Sequence, residues 1–159
     1  MKQITEQEAY LRLAALCAQA EHCQYEMQEK MRRWELSEEA QARVMQRLVT
    51  ERYVDDERYA RAFIKDKVRY NKWGRRKVEQ ALWAKHINED IRQRVLDEID
   101  DEEYIAVLRP LLQQKRKSTK ANSDYELNGK LIKFAMGRGF TMDIIRQCIN
   151  VTDEDEFLD

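Results

Sequence analysis

The chain has 159 residues, a formal net charge of -1, 37% charged residues, four glycines and a single proline. So few turn residues argue against a strand-rich fold and favour long helices with short links. The near-neutral total excludes partner prediction from net charge alone, and no run of apolar residues is long enough to span a bilayer.

In chain order, the pattern predicts three helices that recur three times. The first helix of each set covers about 6–20, 56–70 and 101–117, and each carries a tyrosine near its start: Tyr10, Tyr59 and Tyr104. The second covers about 25–34, 75–85 and 125–138. The third begins after Leu36-Ser37, Ile87-Asn88 and Phe140-Thr141, where an apolar residue precedes a good N-cap. Small or apolar residues follow at helical spacing: Ala40, Val44 and Leu48, then Ile91, Val95 and Ile99, then Ile144 and Cys148. In the middle set Tyr59, Phe63 and Tyr70 are expected on one buried face, and Val78, Leu82 and Trp83 on another. Short helices of this kind are stable only through a packed apolar face. The expected fold is all-α, an elongated, curved array of three-helix repeats at 1–54, 55–99 and 100–152, followed by an acidic tail at 153–159.

Two acidic pairs, Asp55-Asp56 and Asp100-Asp101, stand directly before helices. A carboxylate there accepts otherwise unpaired N–H groups and faces the positive end of the helix dipole. No histidine or phosphate loop accompanies either pair, and adjacent residues seldom direct both carboxylates to one point, so capping is preferred to acid–base chemistry. No nucleophile motif such as G-x-S-x-G occurs, and no enzyme activity or cofactor is expected. Cys17, Cys23 and Cys148 lack regular ligand spacing, and His22 beside Cys23 has no suitable fourth ligand. The thiols read as small buried hydrophobes of a reduced, cytoplasmic protein.

Charge is unevenly spread. From Lys65 to His86 there are eight basic side chains against Asp66 and Glu79. Lys67, Arg69, Lys72, Arg75, Arg76, Lys77 and Lys85 are candidate binding residues, and Trp73 serves either for stacking on a partner or for closing its repeat's core. Cations at the start of a helix oppose the macrodipole, which directs the reading to binding rather than local stability. Lys130, Lys133 and Arg138 form a second candidate surface within the basic stretch 115–138. The acids of 153–159 offer internal counter-charge for these faces.

At these residues the sequence resembles the RecX family, bacterial regulators of the RecA recombinase. The resemblance is carried by Tyr53-Val-Asp-Asp-Glu-Arg-Tyr-Ala-Arg-Ala-Phe63, Lys72-Trp-Gly-Arg-Arg-Lys-Val78 and Ala81-Leu-Trp-Ala-Lys-His-Ile87, with Met31-Arg-Arg-Trp-Glu-Leu36 and Lys130-Leu-Ile-Lys-Phe-Ala-Met-Gly-Arg-Gly-Phe140 at the flanks. It implies a non-enzymatic protein, a monomer with no membrane partner, that binds the groove of the RecA–single-stranded-DNA filament and limits ATP hydrolysis and strand exchange. Contact with single- or double-stranded DNA through the basic faces is part of the same implication. The family's glycine at the end of the second helix survives only as Gly139. Glu35 and His86 stand in its other two places, so those turns are expected to differ in shape. The alternatives are a direct DNA-binding helix-turn-helix module, disfavoured by the acids of Glu89–Glu98, and an adaptor for an acidic protein.

Overall fold

The computed structural model describes residues 3–149, and all regular structure among them is helical. The acidic stretch 153–159 lies outside the described residues. Nine helices are described: α1 (Glu6–Gln19), α2 (Gln24–Arg33), α3 (Glu38–Thr50), α4 (Asp56–Arg69), α5 (Arg75–Ala84), α6 (Glu89–Leu96), α7 (Asp101–Ser118), α8 (Asp124–Gly137) and α9 (Met142–Cys148). The chain forms two compact units. One holds the described residues up to Phe63 together with Leu82–Val95, the other Ile64–Ala81 together with the described residues from Leu96 to Ile149.

In the first unit Tyr10, Leu13, Ala14, Met27, Met31, Val44, Leu48 and Val54 make one buried cluster from α1, α2, α3 and the link after α3. Each large side chain so buried stabilises the unit by about 1.5–3 kcal/mol. The Tyr10 hydroxyl donates to the Glu51 carboxylate, and the Arg47 guanidinium lies 3.5 Å above the Tyr10 ring, tying α1 to the end of α3. In the second unit α7 packs on α8 and α9 through Tyr104, Leu108, Leu112, Leu131, Ile132, Ile144 and Ile145.

The link from each second helix to each third helix has one geometry in all three places. Glu35, His86 and Gly139 are left-handed, with φ of 58, 58 and 94°. The next amide reaches back to the carbonyl five residues earlier: Leu36 to Met31 (3.2 Å), Ile87 to Leu82 (3.1 Å) and Phe140 to Ala135 (3.1 Å). This is the Schellman pattern, which satisfies carbonyls left open at a helix end. The expectation that the turns lacking glycine differ in shape is therefore wrong. Main-chain pairing and the apolar residue after the turn impose the left-handed conformation on glutamate and histidine too. Ser37 then caps the Ala40 N–H (3.1 Å) and Asn88 the Asp90 N–H (2.8 Å). Thr141 makes no side-chain cap bond.

The acidic pair before α4 caps two different helices. Asp55 Oδ1 accepts from the Arg58 N–H at 3.0 Å, and Asp56 Oδ1 accepts from the N–H of Gln24, the first residue of α2, at 2.9 Å. Asp100 precedes α7 without a side-chain cap bond. Among the thiols Cys23 is fully buried, and burial lifts its pKa to about 12. Cys17 and Cys148 are partly exposed. Two residues expected in the core are outside it: Tyr70 is 77% and Trp83 68% exposed. Tyr70 follows the last residue of α4, and Trp83 adjoins buried Leu82 on α5, where consecutive side chains diverge around the helix.

Candidate binding surface at the start of α5

Ile64–Ala81 and the residues from 96 onward share one unit, so both basic stretches of the sequence, except Lys85, belong to one compact body. They meet where the turn after α8 receives the start of α5. The Gly74 N–H donates to the Arg138 carbonyl (2.8 Å) and the Arg76 N–H to the Gly139 carbonyl (3.0 Å). In return the Arg138 side chain donates to the Asn71 carbonyl (2.9 Å). Open N–H groups at one helix end thus meet carbonyls at another, and the positive end of the α5 dipole faces the negative end of α8.

The contact leaves no room for side chains. A Cβ on Gly74 would lie 2.3 Å from the Phe140 nitrogen, and one on Gly139 would lie 2.5 Å from Lys77. Both glycines therefore allow backbone to touch backbone.

This corrects the argument that cations at 75–77 have no structural account. The carbonyl end of α8 supplies negative partial charge next to them, and Arg75 also pairs with Asp97 at 2.7 Å. Other predicted residues are held on aromatic rings. Lys67 Nζ and Lys77 Nζ lie 5.3 and 4.8 Å from the centre of the Trp73 ring, which is half-buried. Arg138 and Lys115 take the same places, at 5.3 and 4.8 Å, about Phe134. Each ring thus holds two cations within about one Debye length, roughly 10 Å at 0.1 M salt. Lys77 and Lys67 are held on the ring side chain of Trp73, so its role includes fixing charge as well as filling space.

Arg69, Lys72, Arg76 and Lys133 are exposed, and Lys72 takes a left-handed φ of 58° at the tip of the α4–α5 turn. Lys130 is exposed but engaged, donating to the Lys120 carbonyl at 2.7 Å and pairing with Glu126 at 3.3 Å. Lys85 is apart from the group. It belongs to the first unit, where it pairs with Glu26 at 3.2 Å. Burial pushes the Glu26 carboxyl up, but the Cys23 N–H, Lys85 and His22 together hold it below its ordinary 4.5. Sequence reasoning missed Phe134 and Lys115 as a second ring-and-cation group. The ring lies at helical spacing from Lys130 and Arg138, which was the available signal.

The helix that a helix-turn-helix module would insert into DNA is α6. Its two arginines are occupied within the chain: Arg92 donates to the Ile87 carbonyl at 2.7 Å, and Arg94 bonds to the Glu57 carboxylate. Among the described residues no group of three His, Cys, Asp or Glu could hold a metal, and no helix is long and apolar enough to cross a membrane.

These features define an all-α protein of tandem three-helix units whose second compact body gathers cations on aromatic rings. Domain models agree with that class: the second three-helix domain of RecX matches residues 55–96 and the third matches 101–149. The regulatory protein RecX of Bacillus cytotoxicus is 24% identical over 150 residues, covering 94% of this chain and 56% of that protein. RecX of Clostridium perfringens is 28% identical over 136 residues, 84% of this chain and 63% of the relative. The crystal structure of RecX from Lactobacillus salivarius superimposes with a TM-score of 0.82 at 18% identity, covering 90% of this chain and 93% of that one. The chain belongs to the RecX family. It spans about half the length of several curated relatives that it matches.

Proposed function

We propose that this chain is a non-enzymatic, cytoplasmic regulator of the RecA recombinase, with repeats at 1–54, 55–99 and 100–152. It binds the RecA–DNA filament as a monomer and limits ATP hydrolysis and strand exchange. Membership of the RecX family supports RecA as the partner. The observation that carries the reading for these residues is the meeting of two basic stretches in one compact unit. Charge-assisted contacts from exposed Arg69, Lys72, Arg76 and Lys133 suit carboxylates or phosphates, and the cations on Trp73 and Phe134 are already ordered for the same task.

The test uses preformed RecA filaments on single-stranded DNA, following ATP hydrolysis and filament length. The variant Arg69→Glu, Lys72→Glu, Arg76→Glu changes exposed side chains and should retain the helical spectrum and unfolding midpoint. Its inhibition is expected to weaken at least about tenfold, and the salt dependence of binding should fall by about two to three counterions. Undiminished inhibition by this folded variant would remove the basic turn from the interface.

A further inference from the structure

In two places the start of one second helix meets the end of another, and the positions that touch are the same. At the end of α8, Gly74, which stands directly before α5, donates its N–H to the carbonyl of Arg138, the residue before left-handed Gly139. Arg76, second in α5, donates to Gly139 itself. At the end of α5, Cys23, the N-cap of α2, donates its S–H to the carbonyl of Lys85 at 3.9 Å, and Lys85 precedes left-handed His86. Tyr25, second in α2, stacks on His86. The residue before the incoming helix meets the residue before the turn, and its second residue meets the left-handed one.

The end of α2 has the same turn at Trp34-Glu35, and among the described residues no N–H reaches either carbonyl. A pocket of about 510 Å³ opens there, with Ile4, Glu8, Arg12, Arg33, Trp34 and Glu35 in its lining. The start of α8 matches it. Ser123 and Asp124 are exposed, and Tyr125, second in its helix like Tyr25, is 46% exposed with no ring partner among the described residues. Arg33 and Asp124 are both exposed and of opposite charge, and neither has an ion pair among the described residues.

We infer that the end of α2 is a seat for the start of α8 of a second copy of this chain. Ser123 then lies at Trp34, Tyr125 at Glu35 and Asp124 beside Arg33, and the carbonyl end of one helix faces the N–H end of another. Repeat units bury their faces on neighbours, so an unstacked end is where a further unit adds. Like the turn at His86, the seat has no glycine, and side chains make the contact. Each chain offers one seat and one start, in different units, so the contact is heterologous. One turn in one pocket is well below the standard interface of about 1,600 Å², so each chain arrives as a monomer and the contact forms between neighbours held side by side. On a RecA filament it makes loading cooperative. That consequence rests on the binding reading above, whereas the contact itself does not.

The test follows the Trp34 indole N–H by nitrogen–proton NMR as the full chain is concentrated about a hundredfold to about 1 mM, the Kd range of so small a contact. The resonance is expected to move in the parent and to stay in place in Tyr125→Glu and in Arg33→Glu. Both positions are exposed, and both variants should keep the parent's helical spectrum and unfolding midpoint. A labelled Tyr125→Glu chain keeps its seat, so its Trp34 should move again when unlabelled Arg33→Glu chain is added. In the reverse labelling it should not move, because the Tyr125→Glu chain has no start to offer. An unmoved parent resonance would show both ends to be solvated caps and overturn the proposal. Equal movement in both labellings would overturn it too, since that marks a two-fold contact. With preformed RecA filaments the parent's inhibition curve should be steeper than that of either variant. If the indole moves as expected but the three curves coincide, the contact stands and cooperative loading falls; if none of the chains inhibits, the filament reading alone falls.

Discussion

The turn at Glu35 and the turn at Gly139 have the same hydrogen bonds and the same handedness, yet only one has glycine. Conformation does not explain the difference, because glutamate and histidine adopt the left-handed state in two of three cases. Crowding does. Lys77 and the start of α5 lie against Gly139, and a Cβ there would be 2.5 Å from Lys77. A glycine at a helix end is usually read as a concession to φ; here it marks the place where another backbone arrives.

Breaking that contact should give the largest effects. Gly74→Ala places a methyl group against Phe140 backbone that cannot retreat as a flexible side chain could, and should destabilise by about 3 kcal/mol in urea unfolding. Gly139→Ala meets both crowding and an unfavourable φ and should be at least as damaging. Both variants should also lose hydrogen-exchange protection of the Arg76 amide, whose acceptor is the Gly139 carbonyl. The matching change Glu35→Ala should lie within about 0.5 kcal/mol of the parent. Equal losses at all three positions would show that the turn itself, and not the arrival of α5, sets the need for glycine.

The turn at His86 is supported in a third way, by side chains. Tyr25 stacks on the His86 ring with centroids 4.0 Å apart, and Lys85 pairs with Glu26, whose carboxylate also accepts the Cys23 N–H at 3.1 Å. Glu26→Ala should therefore cost about 2 kcal/mol. The pH dependence follows from the lowered Glu26 pKa. The unfolded chain holds this proton more tightly than the folded one, so the stabilisation is complete above about 4.5 and disappears as pH falls through the lower folded value. Acid unfolding followed from pH 6 to pH 2 should show that limb in the parent and a shallower one in Glu26→Gln. An unchanged acid limb would remove Glu26 from the support of this turn.

The repeat was legible because it is written in local chemistry. An apolar residue before a capping residue marks both the end of one helix and the start of the next; the described helices begin within a residue of the predicted places and the first and second of each set also end within one, whereas α6 stops at Leu96, three residues short of Ile99. Asp55 as a cap was legible for the same reason. Asp56 was not fully so, since its acceptor role is toward α2, far off in sequence. The exposure of Tyr70 and Trp83 was misread by letting a helical period run past the helix end and by placing two consecutive residues on one face. Least legible was the pairing of α5 with the turn after α8. Two glycines and a run of cations were visible, but nothing local says that Gly74 meets Phe140, or that Arg138 reaches Asn71.

The smallest effect sharpens the comparison most. If Glu35 is left-handed only because the helix end requires it, Glu35→Gly removes about 1–2 kcal/mol of steric strain, and the extra freedom of glycine in the unfolded chain returns about 0.5–1 kcal/mol. A net gain of about 0.5–1 kcal/mol is expected in urea unfolding. His86→Gly removes the same strain but also the Tyr25 stack, worth about 0.5–1.5 kcal/mol, so its stability should stay near that of the parent. Adding Tyr25→Ala separates the two terms, because without the stacking ring His86→Gly should stabilise as Glu35→Gly does. A loss of stability from Glu35→Gly would mean that the glutamate is not strained there, and the glycine at 139 would then answer to conformation after all.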